Sequence, residues 1–228
     1  MAIRKENTGT DELIRDNRYH RAAVLADPET AHLAPATKPP EEVLRKAAHV
    51  QDEKEGERFE KLAILVRGDY VLDTRLKYLE ADVFGACNRN RADDRYKDVF
   101  PRGLAAVIAL RGEDEEKAVA AILSALHKHF PDLAKKYDKD LKHLAAQATH
   151  AEKDWETAEA AADQAMLDEF AARRVLVRQL QKNEGALLTL FPGDKARVRS
   201  YFRPQKQSRS EDPGEGGGNG GGGSPTNG

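Results

Sequence analysis

The sequence predicts an all-α protein: an elongated antiparallel helical bundle, or coiled-coil hairpin, with a short helical cap and disordered tails. The first observation is that residues 132–182 contain neither Pro nor Gly, and their apolar residues recur at steps of three and four. The mean step is about 3.6, the period of one face of a straight α-helix. The second observation is a similar apolar stripe in residues 41–84, a segment of similar length. Aromatic residues make up only 6% of the chain, which favours thin helix packing over a thick core.

Residues 132–182 predict a helix of roughly 75 Å at about 1.5 Å per residue, which needs an equally long partner because it exceeds any single globular core. Its stripe comprises Tyr137, Leu141, Leu144, Ala148, Ala151, Trp155, Ala158, Ala162, Met166, Phe170, Val177 and Leu180, with Arg173 in the one polar position. The predicted end lies near Gly185, followed by an apolar segment, 186–191, and a turn at Pro192.

The earlier long helix is predicted to start after Lys38, because Pro39 and Pro40 are tolerated in a first turn and the acids that follow suit its positive end. Its stripe comprises Leu44, Ala48, Phe59, Leu62, Leu65, Leu72, Leu76, Leu79 and Val83, with Gln51, Glu55 and Asp69 at polar positions. From Leu62 onward the steps alternate three and four, as in a coiled-coil seam. Gly56 and Gly68 indicate either a bend or a place where another helix comes close.

The remaining segments predict a bundle over residues 10–204, between a disordered N-terminus (1–9) and a disordered Gly-rich tail (205–228). A short helix is expected from about Thr10 to Ala26. Residues 88–131 are expected to form the cap, with a charged loop followed, from Phe100, by two short helices or one bent helix.

An antiparallel hairpin fixes an expected register for the two long helices. Placing Val83 near Tyr137 sets Leu65 beside Trp155 and Phe59 beside Ala162. Large residues then face small ones, which allows close packing. Two helices bury little surface, so a third long helix or a second copy of the chain would cover the remaining apolar edge, and a homo-oligomer is predicted.

Composition limits the partners and the compartment. The net charge of −2 gives no overall attraction to nucleic acid or to an anionic membrane. No apolar run is long enough for a membrane span, and no signal peptide is evident.

The single cysteine, Cys87, excludes an internal disulfide and suits a reducing cytoplasm. Its neighbour Arg89 could lower the thiol pKa, but no base for a nucleophile is recognisable, so a structural cysteine is the favoured interpretation.

No metal or cofactor is predicted. His127 and His129 are two residues apart, and His143 and His150 are seven apart, whereas helical metal ligands lie three or four apart. The motif from Glu29 to His32 resembles half of a di-iron site but has no second copy.

One basic cluster has the composition of an interface. It comprises Lys195, Arg197, Arg199, Tyr201, Phe202, Arg203, Lys206 and Arg209. Basic side chains can neutralise phosphates and aromatic rings can stack on unpaired bases. The alternatives are that the two aromatic residues fasten a short helix to the bundle while the charges are solvated, or that the segment docks an acidic partner.

The sequence therefore predicts a cytoplasmic, non-enzymatic structural or protein-interaction protein, a scaffold or adaptor that binds a protein partner or itself. The alternative is a nucleic-acid-associated protein that binds through residues 195–209. A helical-bundle enzyme with a metal centre is a third hypothesis.

Overall fold

The computed structural model describes residues 7–204, and every regular element in that range is helical. The predictions for residues 1–6 and 205–228, including Lys206 and Arg209, lie outside the described residues. Two short 3-10 turns, Ala31–Leu33 and Pro35–Thr37, connect the first two helices. The helices are α1 (Thr10–Leu25), α2 (Lys38–Ala86), α3 (Asp94–Val99), α4 (Leu104–Ile108), α5 (Gly112–His129), α6 (Pro131–Leu190) and α7 (Lys195–Ser200).

The predicted all-α helical hairpin is confirmed, because α2 packs along α6. Helix α2 has 49 residues and α6 has 60, which correspond to about 75 and 90 Å at 1.5 Å per residue. Two ion pairs show the antiparallel direction. Lys136 Nζ lies 2.7 Å from Asp82, and Lys61 Nζ lies 2.7 Å from Asp154.

One contact near the cap agrees with the expected register, whereas two ion pairs between the long helices differ from it. Near the cap, the Tyr137 hydroxyl donates to Asp82 at 2.7 Å, within about one residue of the expected pairing. Arg75 and Lys61 were expected opposite Ala145 and Glu159 but pair with Asp140 and Asp154, each more than one helical turn away. The two stripes alone therefore do not specify the register.

The buried residues concentrate at the two ends of the hairpin. At one end, which we call the cap, α3, α4 and α5 close a core against α2 and α6, with Leu79, Leu126 and Tyr137 at its centre. At the other end, which we call the base, α1 and α7 pack against the start of α2 and the end of α6, where Leu44 and Leu187 are fully buried. The cap contains two separate helices, α4 and α5, in addition to α3.

The predicted stripe of α6 is wrong at two positions in its second half, where most of its other members are buried. Met166 and Phe170 are 41% and 42% exposed, whereas Ala165, Glu169 and Ala172 face inward. The reason is a buried polar contact: Glu169 Oε2 lies 2.7 Å from Arg173 Nη2, and Thr10 of α1 donates to the same carboxylate. Docking of α1 therefore selects a different face of α6 from the one that its largest side chains indicate.

Helix α6 also runs further than predicted. It passes through Gly185 and ends at Leu190. Leu187 is fully buried in the base, and its carbonyl accepts a hydrogen bond from Phe191 N at 2.9 Å. The burial of this last turn outweighs the cost of about 1 kcal/mol that a glycine imposes within a helix. The helix stops only before Pro192, which disfavours helical geometry in the residue preceding it.

Candidate interaction surface

An exposed apolar face lies in the middle of α2, between the cap and the base. We call it the α2 stripe, and its members are Phe59, Leu62, Ala63, Val66 and Tyr70. Phe59, Val66 and Tyr70 are 56%, 59% and 60% exposed. Spacings of three and four residues keep these side chains on one face of a helix. The cores at the two ends of the hairpin leave this face uncovered.

The position of this stripe corrects a prediction. Phe59 and Leu62 were expected to pack against α6, but both are exposed to solvent. At this level Lys61 of α2 contacts α6 through its ion pair to Asp154. Large apolar residues in the sequence therefore indicate a helix here without indicating which of its faces meets the partner helix.

Two opposite charges flank the α2 stripe on one side. Glu60 and Arg67 are both exposed, and their spacing of two helical turns separates them by about 10.5 Å along the axis. Within the described part of the chain neither forms an ion pair, although the Arg67 guanidinium lies 5.3 Å from the centre of the Tyr70 ring. The flank thus presents one acid and one base at the two ends of the apolar face.

Gly56 and Gly68 lie within α2 and do not interrupt it. A Cβ atom added at either position would meet no atom within 4 Å, so no other helix in the described part of the chain approaches them. Gly68 instead lines an open apolar groove of about 590 Å³ together with Ile64 and Leu144. The middle of the hairpin therefore exposes apolar surface on this side as well.

The basic segment is largely engaged within the chain. Arg197 Nη2 lies 2.7 Å from Asp27 and 3.0 Å from Glu29, and its guanidinium stacks on the Phe191 ring at 3.6 Å. Tyr201 donates its hydroxyl proton to Asp27 at 2.5 Å. The hydrogen bonds from Tyr201 and Arg197 lower the pKa of Asp27 to about 2.

The aromatic residues of this segment are buried. Tyr201 and Phe202 are each 5% exposed, and Phe202 stacks on His20 with the ring centres 4.7 Å apart. Arg203 pairs with Asp16 at 2.6 Å and also with Glu12. Buried rings cannot stack on bases in this conformation, so Lys195 and Arg199 are the only exposed basic residues of the described part of the cluster. The nucleic-acid interface stays a prediction.

The histidines singled out in the sequence are not brought together. His127 and His129 contact different carboxylates, Asp138 at 3.1 Å and Asp98 at 2.7 Å. No group of three or more residues within 7–204 is arranged to hold a metal ion. Cys87 is buried, and this burial raises the pKa of its thiol, opposite to the shift that activates a nucleophile.

Two buried glutamates have contrasting surroundings that the sequence analysis missed. Glu41 in the base accepts hydrogen bonds from Arg45 at 2.6 Å and from Asn17 at 2.7 Å. Burial alone raises the pKa of Glu41, but these hydrogen bonds and the charges of Arg45 and Arg21 outweigh it and lower the pKa overall. Glu115 in the cap is 1% exposed, and neither of its carboxylate oxygens has a hydrogen-bond partner within the described chain.

No known protein family, curated protein or solved structure matches this chain. Across residues 7–204, no helix combines the length and apolar character needed to cross a membrane. The site itself must therefore support any functional assignment.

Proposed function

We propose that this protein is a non-enzymatic structural or interaction protein that assembles with a second copy of itself through the α2 stripe. The observation that carries the proposal is the exposure of Phe59, Val66 and Tyr70 on one face of a helix, at a level where no third helix of residues 7–204 covers the hairpin. A contiguous exposed apolar face is typical of a protein–protein contact. The lone buried thiol of Cys87 supports a reducing compartment such as the cytoplasm.

The flanking charges support a second copy as the partner. In a two-fold contact each residue meets its counterpart reciprocally, so a self-complementary surface must carry both members of every pair. Antiparallel packing of two α2 stripes about a point between Ala63 and Val66 brings Phe59 near Tyr70 of the second copy. The same packing brings Glu60 near Arg67 of the second copy, and the pair forms twice. The chain's net charge of −2 opposes this association only weakly.

The size of the surface sets the expected affinity. Five residues from each helix form a contact at the lower end of specific interfaces, which bury roughly 1,200–2,000 Å² in total. We therefore expect a reversible dimer with a dissociation constant of about micromolar order.

A charge-exchange experiment tests the proposal. Sedimentation velocity of the full chain over about 5–500 µM should show a dimer for the wild type. The single variants Glu60→Arg and Arg67→Glu should each weaken dimerisation at least about tenfold, because each replaces two attractive contacts with two repulsive ones. The double variant should recover the wild-type affinity.

The control is Glu156→Arg, a charge reversal at an exposed acid on α6. It should dimerise as the wild type does. A wild type that remains monomeric throughout the range would overturn the proposal. If the double variant stays as weak as the single variants, the antiparallel second copy is not the occupant of the α2 stripe.

A further inference from the structure

Glu115 occupies a position that the pattern of α5 reserves for an apolar residue. The inward face of α5 comprises Gly112, Glu115, Val119, Ile122, Leu123 and Leu126, all of them buried. Steps of three and four place the carboxylate on the same stripe as the aliphatic residues of the cap core. The first turn of α5 therefore carries an acid into the junction between α2 and α6.

The groups that face Glu115 are mostly acidic. Asp69 and Asp73 approach from α2, Glu152 from α6, and Arg111 from the residue that precedes α5. The one cation among them, Arg111, lies 3.4 Å from Asp69 and so is shared with a second carboxylate. Asp73 also has a buried oxygen, Oδ1, without a hydrogen-bond partner in the described chain.

The start of α5 sits tightly against one of these acids. Gly112 has φ of +52°, and a Cβ atom built there would lie 1.8 Å from Glu152 Oε2. The Glu152 carboxylate therefore lies against the backbone at the start of α5, three residues before Glu115. An ionised Glu115 would add a further negative charge to this enclosed site without a hydrogen bond to offset its lost hydration.

We propose that Glu115 is a pH-dependent latch: its protonated carboxyl lets the first turn of α5 seat between α2 and α6, and loss of that proton loosens the turn. The geometry is the opposite of that around Glu41, where another buried carboxylate is met by Arg45, Arg21 and Asn17. The positive end of α5 favours the ionised form, but it is one weak contribution against burial and three neighbouring acids.

The direction of the pH effect follows from these surroundings. Burial, and then the charge of Asp69, raises the pKa of Glu115 from 4.5 to about 7. A carboxyl whose pKa is raised on folding contributes stability that is complete below the unfolded value and is lost as the pH rises through the folded value. The cap should thus be most stable in mild acid, and its stability should decrease progressively between about pH 5 and pH 8.

Hydrogen exchange at fixed pH tests the latch with a matched pair of variants. Glu115→Gln removes the charge and keeps the shape, and Glu116→Gln makes the same change one residue later at an exposed position. At pH 8 the amides of residues 115–122 should exchange at least about tenfold more slowly in Glu115→Gln than in the wild type, since one pKa unit corresponds to a tenfold change. At pH 5 the two proteins should exchange alike, and Glu116→Gln should match the wild type at both values.

Faster exchange in Glu115→Gln at pH 8, or a difference that is the same at both pH values, would overturn the proposal. A second measurement needs no variant: the side-chain carboxyl carbons of glutamate-labelled wild-type protein can be titrated by NMR. One glutamate should titrate between about pH 6 and pH 8, and titration of every glutamate below about pH 5.5 would also overturn it.

Discussion

His20 shows at the level of one residue how burial fixes a protonation state. Its side chain is fully buried in the base, with Nδ1 3.1 Å from the Tyr201 carbonyl oxygen and Nε2 2.9 Å from the Asn183 amide nitrogen. A carbonyl can only accept, so Nδ1 carries the proton. The amide nitrogen can only donate, so Nε2 must be unprotonated. Burial lowers the pKa of His20, and the hydrogen bond to Tyr201 opposes that shift only in part.

Acid should therefore destabilise the base through His20. Because the pKa of His20 is lowered on folding, the contribution of His20 to the stability of the base is complete above its ordinary pKa of 6.5. That contribution is lost as the pH falls below 6.5. His20→Gln keeps a donor and an acceptor without a titrating ring. Its thermal midpoint should depend less on pH between 7 and 5 than that of the wild type. His150→Gln, at an exposed position on α6, is the control and should leave the wild-type pH profile unchanged.

At the scale of an element, α7 is short but is docked by several independent contacts. It has six residues, too few for a stable isolated helix, and the Asp194 side chain caps it by accepting from Arg197 N. The residues after it, Tyr201 and Phe202, are buried against α1 and the end of α6. The basic segment is thus held by tertiary contacts that also occupy several of its charges.

Truncating the aromatic anchor should release α7 from the base. Phe202→Ala removes a ring that is 5% exposed and stacked on His20, so we expect a loss of about 3–5 kcal/mol in the free energy of unfolding. Arg199→Ala, at an exposed site in α7, should change the free energy of unfolding by no more than about 0.5 kcal/mol. Urea denaturation followed by circular dichroism measures both. Equal losses in the two variants would show that α7 docks differently.

At the scale of the whole molecule, residues 7–204 form a long hairpin with a core at each end, and within that range two helices run between the cores. The two cores should respond oppositely to pH. Lowering the pH should stabilise the cap through protonation of Glu115 and destabilise the base through protonation of His20. The exposed middle, which bears the α2 stripe, lies near the centre of α2. A dimer formed there in antiparallel fashion would overlap the two rods along most of their length.

Small-angle X-ray scattering can test this arrangement. The monomer should have a maximum dimension of at least about 90 Å, set by the 60 residues of α6. Dimerisation through the α2 stripe should increase the cross-sectional radius while the maximum dimension changes little. A maximum dimension that nearly doubles with concentration would indicate end-to-end contact and contradict the proposed interface.

Local periodicity in the sequence determined the fold class. The absence of Pro and Gly over residues 132–182, and the prolines that open α2, were sufficient to predict two long helices and their pairing. These features depend on backbone propensity and on the 3.6-residue period, which act within a few residues of each position. The short helices α3 and α7 and the end of α6 were harder to predict from the sequence, because tertiary contacts stabilise them.

Only the tertiary structure decided which faces are buried and which charges are paired. Met166, Phe170 and Phe59 fit the periodic stripes but are exposed, and Glu115 is buried although it reads as an ordinary acid in the first turn of a helix. Burial depends on which helix packs on each side of the hairpin and in what register. Both depend on contacts between residues far apart in the chain, which the spacing of residues within one helix specifies only in part.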